Sequence, residues 1–185
     1  MAENEITNFL ADLKLVTAAQ SDDREILKKI VPVVKSMAKN AGWLEDRFYK
    51  RDEKTGYGVT VLHADENLYV IMVCWPPGQD VTPRDHQTWA VVAGIDGVEK
   101  NFHWIRKDDG SKAGYAEVDL HSEVNVGSGD TFVMLPNDIH SVLSDTDEPT
   151  LSLHVYGKIL GDTKRFEFEP EKNLVRPHSQ IERVC

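Results

Sequence analysis

Thr82-Pro-Arg-Asp-His-Gln-Thr-Trp89 decides how this chain is read. Side chains on an extended strand alternate in direction, so Arg84, His86 and Thr88 are expected on one face. A second stretch, Pro136-Asn-Asp-Ile-His-Ser-Val142, carries His140, and Ser152-Leu-His-Val-Tyr156 follows it closely. There the same alternation puts Ser152, His154 and Tyr156 on one face of another strand. If these strands surround a common interior, His86 and His140 converge in it. Two imidazoles meeting in an apolar β interior are the beginning of a site for Fe(II) or another borderline divalent metal.

The surroundings of these stretches are β-rich. Ranges 57–64, 68–75, 89–93, 98–105, 115–120, 131–135, 141–143 and 151–156 each read as short strands. Turn residues separate them, among them Pro76-Pro-Gly78, Asp96-Gly97, Asp108-Asp-Gly110 and Gly127-Ser-Gly129. Such even spacing predicts a closed antiparallel barrel or a jelly roll over 57–160. Upstream, region 1–48 reads as helical. Ile6, Phe9, Leu10, Leu13 and Val16 make one apolar stripe, and Ile26, Leu27, Ile30, Val33, Val34 and Met37 make another. Ser21-Asp-Asp is expected to cap the second helix, Pro32 to kink or divide it, and Gly42 to end it. The polar tail 161–185 is expected to wrap the barrel, with one edge strand at 165–168.

Composition narrows the class. With 185 residues and 41% hydrophobic content, the chain fits one domain, 1–185, with a core of ordinary size. A formal charge of −10 with no basic stripe argues against nucleic acid and against anionic membrane surfaces. Small molecules are the expected partners. The N-terminus lacks a basic stretch followed by an apolar one, and no segment reaches bilayer length, so a cytoplasmic location is expected. Cys74 lies in an apolar strand and reads as core packing, and Cys185 reads as an exposed thiol.

A longer series of residues carries a resemblance. Trp43-Leu, Tyr57, Leu62-His-Ala-Asp65, Trp75, Pro77-Gly-Gln79, Asp85-His-Gln-Thr-Trp89, Gly97-Val-Glu99, Gly129-Asp130, Asp138-Ile-His140 and Ser152-Leu-His-Val-Tyr-Gly157 fall in order along most of the chain. In these the chain resembles the cysteine dioxygenase family of cupins, especially its bacterial 3-mercaptopropionate dioxygenase branch. The resemblance implies an all-β cupin preceded by N-terminal amphipathic helices, a mononuclear Fe(II) and O2, and oxidation of a small thiol to a sulfinate. It assigns His86 and His140 to the metal, and Ser152, His154 and Tyr156 to a hydrogen-bonded relay that orients substrate and oxygen.

Two positions depart from the family pattern. Arg84 stands where the first metal histidine is expected, and Val59 stands where the substrate-carboxylate arginine is expected. A guanidinium stays protonated and has no lone pair for a metal. One explanation joins both changes: Arg84 clamps an anionic substrate bidentately, leaving the metal on His86, His140 and solvent or substrate atoms. The other pairs Arg84 structurally with an acid such as Glu99. Glu99, Asn101 and His103 share a strand face and are candidates for a third ligand, while Asp85 is expected to point away from His86. Where some family members carry a cysteine that crosslinks to the relay tyrosine, this chain has Ala90 or Val91, so no crosslink is expected. His63 reads as a turn or capping residue, His103, His121 and His178 as surface or structural, and Trp75 and Trp89 as core aromatics. A metal-free cupin that binds a small anion is the alternative to the oxygenase, with Arg84 filling the empty ligand position.

Overall fold

The computed structural model describes residues 2–178. Cys185 and the end of the 161–185 tail lie outside the described residues. Helix α1 (Ala2–Ala19) and helix α2 (Asp23–Lys39) pack against each other. The cap of α2 is Asp22: its carboxylate accepts the N–H groups of Arg24 and Glu25, both at 3.0 Å. Pro32 does not divide α2, which runs unbroken past it. A proline interrupts the helix ladder only locally, and here Ile26, Leu27 and Ile30 before it and Val34, Met37 and Ala38 after it are all buried in one core. The helix stops at Lys39, before Gly42, which lies in a short 3-10 turn with Trp43. The Trp43 ring is fully buried and its indole N–H donates to the Met37 carbonyl at 3.0 Å.

Eleven strands follow among the described residues: β1 (Gly58–Ala64), β2 (Tyr69–Trp75), β3 (Asp80–Arg84), β4 (Ala90–Asp96), β5 (Glu99–Arg106), β6 (Val118–Val126), β7 (Thr131–Met134), β8 (Ile139–Leu143), β9 (Thr150–Tyr156), β10 (Phe166–Glu169) and β11 (Leu174–Pro177). They form two antiparallel sheets, in orders β1-β2-β9-β4-β7 and β11-β10-β3-β8-β5-β6. The expected closed barrel is instead a pair of sheets, a jelly roll in which the chain passes from one sheet to the other. The expected strand at 115–120 begins only at Val118, and Tyr115 makes an isolated bridge to Leu174. At the C-terminus β10 matches the expected edge strand, but β11 pairs with it, so the hairpin extends the second sheet.

Strand β9 explains how the site is enclosed. Every one of its residues is buried, because the first sheet is covered on both faces. Leu151, Leu153 and Val155 point to the helices, where they join Leu13, Ile30, Val34 and Trp43 in one core. Ser152, His154 and Tyr156 point the other way, into the space between the sheets. There Ile71, Val73, Val92, Phe132 and Met134 form the apolar lining together with Tyr156.

Candidate functional site

The decisive stretch is not one continuous strand. Strand β3 ends at Arg84, and Gln87 adopts a left-handed conformation at φ 55°. The simple alternation that put Thr88 on the face of Arg84 and His86 therefore breaks at Gln87. The turn is held by the buried Asp85, whose carboxylate accepts the Phe166 N–H at 2.8 Å and the Gln87 side-chain amide at 2.7 Å. Burial raises its carboxyl pKa, and these hydrogen bonds and the Arg165 charge oppose the rise.

The turn delivers His86 to His140. The two Nε2 atoms lie 2.8 Å apart, and both residues are buried. The Tyr156 ring meets the His86 ring at 5.1 Å between centroids, and Phe132 stacks on His140 at 5.9 Å. Burial first, then neighbouring positive charge, holds both imidazoles well below the ordinary histidine range. Both are neutral at physiological pH and carry lone pairs.

Register explains the charge around them. Arg84 is opposite His140 on β8 and opposite Glu167 on β10, while His103 is opposite His140 on the other side. Arg165 lies two residues before Glu167 and projects toward the same space: its charge acts on His86, Tyr156, Tyr57, Tyr69 and Asp85. Neither the Arg84 nor the Arg165 guanidinium makes a hydrogen bond or ion pair among the described residues, and burial lowers the pKa of both. The Glu167 charge acts on both guanidinium groups, while its carboxylate engages Arg176 at 3.2 Å and His178 at 3.4 Å. Sequence reasoning missed Arg165. It is one of several basic residues in a polar tail, and only the pairing of β10 with β3 gives it a place.

Ser152, His154 and Tyr156 form a continuous chain. The Tyr156 hydroxyl is 2.8 Å from His154 Nδ1, His154 Nε2 is 2.9 Å from Ser152 Oγ, and Ser152 donates to Glu99 Oε2 at 2.9 Å. Glu99, a sequence candidate for a metal ligand or for the partner of Arg84, takes neither position. Its other oxygen accepts the Asn101 amide at 2.9 Å, and burial raises its carboxyl pKa. A β5 residue lands here because Glu99 and Asn101 face the interior of the second sheet directly across from Ser152. Burial holds His154 at a pKa of about 3 and pushes the Tyr156 phenol upward.

The remaining histidines stand apart from this chain. His63 contacts Asp65 at 2.6 Å, and His103 lies against the exposed His121 with ring centroids 5.6 Å apart. Val59 sits on edge strand β1, 46% exposed. Ala90 lies directly across from Tyr156. Trp75 and Trp89 are both core residues, and Trp75 also packs on Tyr57 at 5.2 Å.

The donor set fits two positions of a metal site. Two nitrogens bound cis to a divalent ion at about 2.0–2.1 Å stand roughly 2.9 Å apart, close to the separation seen. Both Nδ1 atoms are buried without a hydrogen-bond partner among the described residues. Among these residues no group of three metal-ligating side chains comes together.

No family model matches the chain. Several solved structures align with part of it. A protein from Klebsiella pneumoniae subsp. pneumoniae with a double-stranded β-helix domain aligns with 68% of this chain and 90% of its own, at 15% identity and a TM-score of 0.48. A cupin superfamily protein from Desulfitobacterium hafniense aligns over 65% and 89%, at 9% identity and a TM-score of 0.43. A recombinant oxalate oxidase in complex with glycolate aligns over 62% of this chain and 59% of its own, at 15% identity and a TM-score of 0.45. Likenesses this distant say nothing of what this chain binds or does. Among the described residues no helix is long and apolar enough to cross a membrane.

Proposed function

We propose that the protein is a mononuclear iron oxygenase acting on a small anionic molecule, with thiol-to-sulfinate oxidation by O2 as the default reaction of the family it resembles. The observation that carries this reading is the approach of two buried, neutral imidazoles, His86 and His140, beside Tyr156 and two guanidinium groups that lack a partner among the described residues. His86 and His140 would hold Fe(II), which when bound supplies the activation of O2. Arg84 binds the anionic end of the substrate by charge-assisted hydrogen bonds, and Arg165 supplies the second positive charge. Tyr156 is held by His154, and His154 by Ser152, so the phenol stays fixed beside His86. The apolar wall of Ile71, Val73, Val92 and Phe132 excludes water, which strengthens each of these electrostatic contacts.

A second reading is a metal-free anion-binding cupin. It is favoured by the 2.8 Å separation itself, which also suits a hydrogen bond between two neutral imidazoles, and by the guanidinium beside His140. One experiment separates the two: elemental analysis of anaerobically purified protein before and after iron reconstitution, with O2 uptake followed against small thiols and carboxylates. Near-stoichiometric iron with substrate-dependent uptake supports the oxygenase. Absence of iron after reconstitution overturns it and leaves the anion-binding protein.

A further inference from the structure

Glu99 gives the relay a direction. A serine hydroxyl has a single proton, and with Glu99 as the carboxylate, which also accepts from Asn101, Ser152 directs its proton to Glu99 Oε2. Its Oγ can then only accept from His154, so His154 carries its proton on Nε2. That leaves a lone pair on Nδ1, and the bond at 2.8 Å must be donated by the Tyr156 hydroxyl. Tyr156 has one proton too, and it is spent on His154. Toward the site Tyr156 presents only lone pairs.

We propose that Glu99 sets the polarity of the chain Tyr156–His154–Ser152–Glu99, so that Tyr156 faces the site as a hydrogen-bond acceptor and a substrate proton entering there ends on Glu99. This goes beyond the reading of Tyr156 as an orienting group. It rests on the proposed oxygenase only for the source of the proton, a thiol or hydroxyl X–H of the anionic substrate. In the transfer, the X–H bond breaks and its electron pair stays on X, while the proton passes to Tyr156 Oη. The Tyr156 proton moves to His154 Nδ1, the His154 Nε2 proton to Ser152, and the Ser152 proton to Glu99 Oε2. No electron is exchanged. A negative charge leaves a buried carboxylate and appears on X, beside Arg84 and Arg165. Their charges already act on Tyr156, and the elevated affinity of buried Glu99 for a proton favours the same direction.

The test reads the His154 tautomer, which needs no turnover and no metal. In the full-length chain labelled with 15N-histidine and stripped of metal by chelation, two-bond proton–nitrogen correlation distinguishes the two neutral forms. The His154 resonances are assigned from their loss in His154→Gln. In the wild type the Nε2–H form is expected to dominate by at least roughly tenfold, the weight of one hydrogen bond. In Glu99→Gln, which keeps the shape but removes the obligatory acceptor, that preference should fall severalfold or reverse. A wild-type His154 protonated on Nδ1 overturns the proposal without recourse to any variant, and so does an unchanged tautomer ratio in a folded Glu99→Gln protein. A protein that takes up no iron yet still shows the Nε2–H form would sink the oxygenase and leave the polarity intact, so the two failures are distinct.

Discussion

Acid should unfold this protein partly through His154. Its pKa falls from about 6.5 in the unfolded chain to about 3 in the native protein, because burial disfavours the imidazolium and Arg84 repels it. Above pH 6.5 both states hold the neutral ring and the histidine contributes nothing to the pH dependence. As pH falls below 6.5 the unfolded chain takes up a proton that the native protein refuses, so stability is lost continuously until pH nears 3. The whole window of about 3.5 units corresponds to roughly 5 kcal/mol, and the part between about pH 7 and pH 5 to ~2 kcal/mol. His86 and His140 are depressed in the same direction and add to the loss. The raised carboxyls of Glu99 and Asp85 act oppositely, since protonation in the native state stabilises it as pH falls. Comparison of wild type with His154→Gln cancels these shared contributions. Urea denaturation of the metal-free proteins at about pH 7 and pH 5 should show the wild type losing ~2 kcal/mol more than the variant, a midpoint difference on the order of 1 M. Equal losses in the two proteins would refute the claim that His154 is buried neutral.

Three further outcomes follow from the same geometry. Arg84→Gln and Arg165→Gln should each weaken binding of an anionic substrate roughly 10- to 100-fold by calorimetry, the loss of one charge-assisted hydrogen bond; unchanged affinity in either variant would remove that arginine from the clamp. Tyr156→Phe should lower turnover on the order of 100-fold, as loss of a proton-transfer group does, and wild-type turnover would end the role given to the relay. Gly157→Ala drives a Cβ into Trp89 Nε1 and to 2.8 Å from Thr88 Oγ1. The overpacking should cost about 1–3 kcal/mol and lower the melting temperature by several degrees, whereas a wild-type melt would show that Trp89 is free to shift.

The relay is legible in the sequence because its logic is local. Ser152, His154 and Tyr156 need only the two-residue period of a strand to share a face, and apolar residues at 151, 153 and 155 commit the opposite face to the helices. The same period misleads at 82–89, where Gln87 takes a left-handed turn that no simple alternation anticipates. Glu99 stands out in the sequence as an acid on an inward face, but its partner does not, since what it meets depends on which strand of the facing sheet lies across from it.

From the sequence alone come a β-rich region, barrel or jelly roll, behind two amphipathic helices, and the faces of strands such as the one at 151–156. These follow from short-range periodicity and side-chain chemistry. Tertiary structure alone decides that there are two sheets, that a C-terminal hairpin carries Arg165 to the site, that Arg84 lies beside His140, and that the relay ends on Glu99. Each joins residues some 50 to 80 positions apart, and such pairings are set by sheet register and the burial of whole faces.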